Sequence, residues 1–179
     1  IPSNPHDAKG LLKSAIIDPD PVIFMESELM YGMKGEVPEE EFYLDIGKAH
    51  VVQEGADVTL VSFGKMIPQH VLPAIEELKK ENIDVELIDL RSVRPIDYAT
   101  IIESIKKTNR LVVVEEAWPL ASISSEISYM VQKEAFDYLD APVQRVTTRD
   151  VPLPYAKVFV ESFLPDVKRV IDAVKSVSY

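Results

Sequence analysis

The feature that most constrains this chain is an alternation of two apolar patterns. Residues 58–63, 85–90 and 111–114 are short, largely apolar runs, and 143–146 reads as a further strand. Between and after them, apolar residues return at helical spacing: Ile67, Val71, Ala74, Ile75 and Leu78, then Tyr98, Ile101, Ile102 and Ile105. Ile123, Ile127, Met130 and Val131 repeat the pattern, and Val167, Val170, Ile171, Val174 and Val177 stripe a last helix. A short run that is apolar at successive positions fits a strand covered on both faces, whereas helical spacing fits a segment with one buried stripe. Strands that alternate with helices in this way predict an α/β fold. The expected form is a three-layer sandwich with a mainly parallel sheet between helices.

Ahead of this regular part the sequence is different. Asn4-Pro5-His6-Asp7 reads as a helix start, with Asn4 as cap and Pro5 at the first helical position, and a helix follows to Ile17. Asp18-Pro19-Asp20-Pro21 stops it, and residues 22–25, Val-Ile-Phe-Met, read as a buried strand. One helix and one strand are too little to fold alone. Residues 32–55 are irregular and acidic and predict a solvated connection. The expected organisation is therefore 1–31 as the end of another domain, 32–56 as linker and 57–179 as a complete domain. The chain opens on Ile1 rather than Met, which suggests a piece of something longer.

A chain of 179 residues with 46% hydrophobic content can bury a full core. Its net charge of -11 opposes binding to nucleic acid or anionic lipid, so proteins and small molecules are the expected partners. The absence of Cys excludes disulfides, thiolate catalysis and Cys-based metal sites. No stretch approaches the roughly 20 apolar residues of a membrane helix.

Parallel sheets bind ligands at the carboxyl ends of their strands. Three segments occupy those positions: Gly64-Lys65, Arg91-Ser92-Val93-Arg94-Pro95, and Glu115-Glu116-Ala117-Trp118-Pro119. One reading has Arg91 and Arg94 grip an anionic substrate while Glu115 or Glu116 acts as general base. The other has an Arg and a Glu pair across the sheet rim, and this is the commoner outcome for such residues. Neither G-x-G-x-x-G nor G-x-x-x-x-G-K-[ST] occurs, and no G-x-S-x-G surrounds a Ser, which weighs against nucleotide binding and hydrolase chemistry. His6, His50 and His70 lack metal-ligand spacing. At the end of the first helix, unsatisfied carbonyls and two carboxylates gather oxygen ligands that suit a hard cation, although a solvated helix end is the simpler expectation.

Read together, "DAKGLLKSAI", "DPDPVIFMESELMYG", "VTLVSFGKM", "IDLRSVRPID", "KKTNRLVVVEEAWP" and "AFDYLDAPVQRVTTRDVPLPYA" resemble the beta subunits of thiamine-diphosphate-dependent 2-oxo acid dehydrogenases, most closely those acting on pyruvate. The resemblance runs through the whole chain in the family's order. It implies a transketolase C-terminal-domain-like fold preceded by a remnant of the pyrimidine-binding domain. It also implies an oxidoreductase that uses thiamine diphosphate with magnesium, whose catalytic residues lie upstream of Ile1, so that none falls in this chain. A potassium site would correspond to Ala15, Ile16, Asp18 and Asp20.

The family's partners follow in the same way: an alpha subunit and a second beta subunit in a heterotetramer, and the peripheral-subunit-binding domain of a dihydrolipoyl acyltransferase. The acid of "LDAP", Asp140, and the terminal carboxylate of Tyr179 would make that last contact. Opposite charge on a basic docking domain fits the acidic surface. Branched-chain 2-oxo acid or acetoin dehydrogenases share this architecture, and a non-enzymatic α/β interaction module is the alternative of another class. The expected location is a bacterial cytoplasm, with the mitochondrial matrix as the alternative.

Overall fold

The computed structural model describes residues 1–178. Five strands form one sheet: β1 (His50–Gln53), β2 (Val58–Ser62), β3 (Val85–Asp89), β4 (Leu111–Val114) and β5 (Gln144–Val146). Their order is β1-β3-β2-β4-β5; β1 runs antiparallel to β3 and the remaining pairs are parallel. Six α-helices accompany them: α1 (Pro5–Ile17), α2 (Leu72–Lys80), α3 (Tyr98–Thr108), α4 (Ile123–Glu134), α5 (Lys157–Phe163) and α6 (Val167–Val177).

The two faces of the sheet divide the apolar residues by the two-residue period of a strand. Val58 and Leu60 of β2, Val85 and Leu87 of β3, and Val112 and Val114 of β4 pack with Ala74, Ile75 and Leu78 of α2 and Val170 and Val174 of α6. Val61, Ile88, Leu111 and Val113 point the other way, onto Ile101 and Ile105 of α3 and Ile127 and Val131 of α4. Both faces are covered, so every residue of β2, β3 and β4 is buried. This is the expected sandwich. Thr59 is the polar exception on β2, and its hydroxyl lies 2.6 Å from each of the Ser104 and Thr108 hydroxyls of α3, so no group there is left without a partner.

Helix starts follow the side chains that can cap them. Asn4 accepts from the Asp7 amide, Asp97 from Thr100, Ser122 from Ser125 and Asp166 from Arg169. Asn109 ends α3 in the left-handed region, φ 61°.

Three elements differ from the sequence reading. One is α5, a helix over Lys157–Phe163 where none is expected. His50–Gln53, within the stretch expected to be a solvated connection, is an edge strand whose residues are only half-buried or exposed. Residues 22–25 are not a strand but irregular chain, with Ile23 87% exposed. An apolar run needs a neighbouring ladder to become a strand, and among the described residues none lies beside it.

Candidate functional site

The strand order places the sheet's switch point at β2 and β4, whose following segments leave in opposite directions. That is where an open parallel sheet forms its crevice. Gly64 and Lys65 follow β2, and Glu115 and Glu116 follow β4. Lys65 Nζ lies 2.7 Å from Glu116 Oε2, so the rim is closed by an ion pair between the two loops. Glu115 is fully buried: its Oε1 accepts from the Ser124 amide at 3.0 Å, at the start of α4, while its own amide donates to Val146 O at 3.0 Å. Its negative charge sits at the positive end of the helix dipole. Oε2 has no hydrogen-bond partner among the described residues. Glu115 is thus sealed inside the domain, and Glu116 is held by Lys65.

The chain's own N-terminal segment walls one side of the crevice: Ile1 and Pro2 line, with Gly64, Lys65 and Glu116, a cavity of about 250 Å³. Ile1 reaches so close to Gly64, which has φ +57°, that a Cβ there would meet the Ile1 side chain at 2.9 Å. The Ile1 nitrogen donates to Arg91 O at 2.7 Å. Ser3 Oγ donates to Asp89 Oδ2, and the Arg91 amide donates to Asp89 Oδ1 at 2.9 Å. Arg91 then turns back on α1, giving Nε to Asp7 Oδ2 at 2.6 Å and Nη2 to Asp7 Oδ1 at 2.8 Å. Such a two-pronged contact is the strongest arrangement available to a guanidinium and a carboxylate. His6 Nδ1 lies 3.0 Å from Asp7 Oδ1, and its ring stacks on Phe42 at 4.6 Å.

Burial opposes ionisation of both acids, with different outcomes. For Asp7 the hydrogen bonds from Arg91 and His6 outweigh it, and the pKa falls below the ordinary aspartate value. For Asp89 burial prevails over the hydrogen bonds from Ser3 and the Arg91 amide, and the pKa rises to about 6. Arg91 itself adopts φ 55°, a left-handed conformation uncommon for a residue of its size. The Asp89 and Asp7 contacts hold it there.

These contacts correct the pairing expected from sequence. Arg91 pairs with Asp7, 84 positions away, and not with Glu115 or Glu116. Asp7 is carried on the first turn of α1 directly over the end of β3, and Glu116 is taken by Lys65. Arg94 is exposed and lines, with Asp18 and Asp20, an open cleft of about 560 Å³ under the end of α1. Trp118 packs within the domain: its indole donates to Val151 O at 2.8 Å and its ring meets Phe163 edge-on at 6.3 Å.

The helix end carrying the expected cation residues has the right donor deficit. Pro19 has no N–H to offer the Ala15 carbonyl. The Asp20 N–H that would serve Ile16 goes to Asp18 Oδ1 instead, at 2.9 Å. Both carbonyls thus end α1 without their helical donors, beside two carboxylates. No cluster of three or more His, Cys, Asp or Glu suited to a metal occurs among the described residues.

Asp140 lies elsewhere, at the amino end of the sheet. Its amide donates to Asn109 O at 2.9 Å, and its Oδ2 is 3.6 Å from Arg110 Nη2. Beside it opens a cavity of about 660 Å³ whose lining includes Gln132, Phe136, Leu139, Pro142 and Arg145. Tyr179 lies outside the described residues. The structure thus separates the sites: Asp18 and Asp20 at one end, Asp140 at the other.

The result is an α/β/α sandwich with a parallel centre and one antiparallel edge, whose carboxyl-end crevice is walled in part by its own preceding segment. The chain belongs to the transketolase C-terminal domain family, whose model, "Transketolase, C-terminal domain", matches residues 47–170. It is 52% identical over 180 residues to the pyruvate dehydrogenase E1 component subunit beta of Rhizobium meliloti (strain 1021), covering 100% of this chain and 39% of that protein. It is 48% identical to the mitochondrial subunit beta-1 of Oryza sativa subsp. japonica, over 99% of this chain and 48% of the relative. The corresponding values for the Rickettsia felis subunit beta are 48%, 99% and 54%. The chain thus spans about half the length of these relatives or less. Among solved structures, a split gene transketolase described as an inactive beta4 tetramer superposes with a TM-score of 0.67 at 27% identity, over 80% of this chain and 45% of that one. No described helix is long and apolar enough to cross a membrane.

Proposed function

We propose that this chain is the carboxyl-terminal part of the beta subunit of a pyruvate dehydrogenase E1 component, and that its own work is assembly. The observation that carries this is the 52% identity that runs through the whole chain to such a subunit. Residues 1–31 are then the end of the pyrimidine-binding domain, 32–56 the connection and 57–179 the transketolase-type domain. In this reading the Asp7–Arg91 pair is the joint between the two domains.

The assembled enzyme would decarboxylate pyruvate oxidatively and pass acetyl to lipoamide, with thiamine diphosphate supplying the electron sink. No residue here is assigned to that cofactor or its magnesium: Glu115 is sealed and Glu116 is paired with Lys65. A potassium ion would be held by the Ala15 and Ile16 carbonyls with Asp18 and Asp20, bracing the end of α1. Its partners would be an alpha subunit, a second beta subunit, and the basic peripheral-subunit-binding domain of a dihydrolipoyl acyltransferase, contacted through Asp140 and the Tyr179 carboxylate. The compartment would be a bacterial cytoplasm, or the mitochondrial matrix.

The test is to express the complete beta subunit with its alpha subunit and measure thiamine-diphosphate-dependent carbon dioxide release. Pyruvate is the expected substrate. A preference for branched-chain 2-oxo acids or acetoin would overturn the pyruvate assignment. Release by residues 1–179 alone would overturn the assembly role.

A further inference from the structure

We infer that Arg110 is a positioning residue for docking: an internal counter-charge that weakens the hold of Asp140 on a basic partner and so keeps that contact reversible. The inference rests on the reading of Asp140 as the docking acid.

The geometry separates charge from hydrogen bonding. At 3.6 Å the Arg110 guanidinium is beyond hydrogen-bond reach of Asp140, so it adds positive potential without occupying the carboxylate oxygens. It is fixed in that position. Nη1 donates to Asp57 O at 3.2 Å, the side chain is only 22% exposed, and the buried Nε has no partner among the described residues. The backbone that carries Asp140 is held beside Arg110 as well. Its amide is held by Asn109 O at 2.9 Å, and the Asn109 side chain donates to Tyr138 O at 2.8 Å, which clamps the loop on both sides of Leu139.

The carboxylate itself is 59% exposed, next to the cavity lined by Phe136, Leu139 and Pro142. An incoming Lys or Arg therefore meets an acid with free oxygens and, one side chain further in, a like charge. Like charges brought together across an interface oppose association. Removing that charge tightens the contact.

The experiment titrates a purified peripheral-subunit-binding domain onto the assembled complex that carries this chain, at several salt concentrations. Arg110→Gln is expected to bind about two- to fivefold more tightly at low salt, with the gain shrinking as salt rises. Arg110→Lys should keep near wild-type affinity, and Asp140→Asn should bind weakly and reduce the effect of Arg110→Gln. Unchanged or weaker binding by Arg110→Gln, with Asp140→Asn still impaired, would overturn the role of Arg110 alone. Loss of binding in both Arg110→Gln and Arg110→Lys would mean that the residue only supports the fold. Full-strength binding by Asp140→Asn would sink the docking reading and this inference with it.

Discussion

Two charge pairs at opposite ends of the one sheet, Asp7–Arg91 and Asp140–Arg110, behave in opposite ways. At the carboxyl end the Arg91 joint is sealed: Asp7 and Asp89 are each 1% exposed, and Arg91 grips Asp7 with two hydrogen bonds. At the amino end Arg110 and Asp140 stand 3.6 Å apart, with the acid in solvent. A buried pair needs full hydrogen bonding to offset desolvation, and once formed it is costly to break. An exposed pair is worth little to stability and is free to exchange partners. The contrast suits a permanent joint at one end and a reversible contact at the other.

The sharpest way to break this contrast is at Asp7. Asp7→Ala strands Arg91 in a site built for a partner, and a loss of about 3–5 kcal/mol is expected. Hydrogen exchange should show residues 1–46 opening while β2, β3 and β4 stay protected. Uniform loss of protection across the sheet would mean that the joint and the domain are one cooperative unit.

Asp89 gives the next effect. Its folded pKa of about 6 lies above the ordinary 3.8, so the folded state binds the proton more tightly than the unfolded one. Stability is then highest at low pH with respect to this group, declines as pH rises from about 4 to about 6, and levels off beyond. The span is about 3 kcal/mol. Asp89→Asn should flatten this part of the urea-midpoint profile. Asp7 acts with the opposite sign: its depressed pKa means that its contribution is lost as pH falls below the ordinary aspartate range.

Glu115→Ala removes the acceptor for the Ser124 amide, and about 1–2 kcal/mol should be lost at the start of α4, read by denaturant midpoint. Glu115→Gln keeps that acceptor and should lose less. The smallest effect belongs to the amino end, where Asp140→Asn should change stability by less than about 1 kcal/mol. A large loss there would erase the distinction between the two ends.

The layered fold was legible because each central strand is apolar on both faces and each covering helix carries one apolar stripe. Leu60 and Val61, adjacent in sequence, face opposite layers, and periodicity alone reveals that. The Asp7–Arg91 joint was not legible, because nothing in either segment announces a partner 84 positions away. One local signal did exist: Asp89 is a carboxylate at the end of an apolar strand, two residues before Arg91. β1 escaped because its four residues are half-solvated, so they carry neither a buried run nor a clean alternation. The reverse error at 22–25 has the same root, since an apolar run predicts burial but cannot supply the ladder that makes it a strand. Glu115 and Glu116 were placed correctly at the sheet's edge, but only coordinates distinguish a sealed cap from a surface ion pair.

β1 has one more consequence. Its pairing with β3 slips between Val51 and Gln53, which leaves Val52 as an extra, exposed residue, and Gln53 turns its side chain inward to donate to Val85 O at 2.8 Å. A bulge in an outermost strand twists it away from flatness and interrupts the row of free amides and carbonyls that another chain could read. The sheet therefore ends there. At this edge a second copy of the molecule is denied side-by-side strand addition.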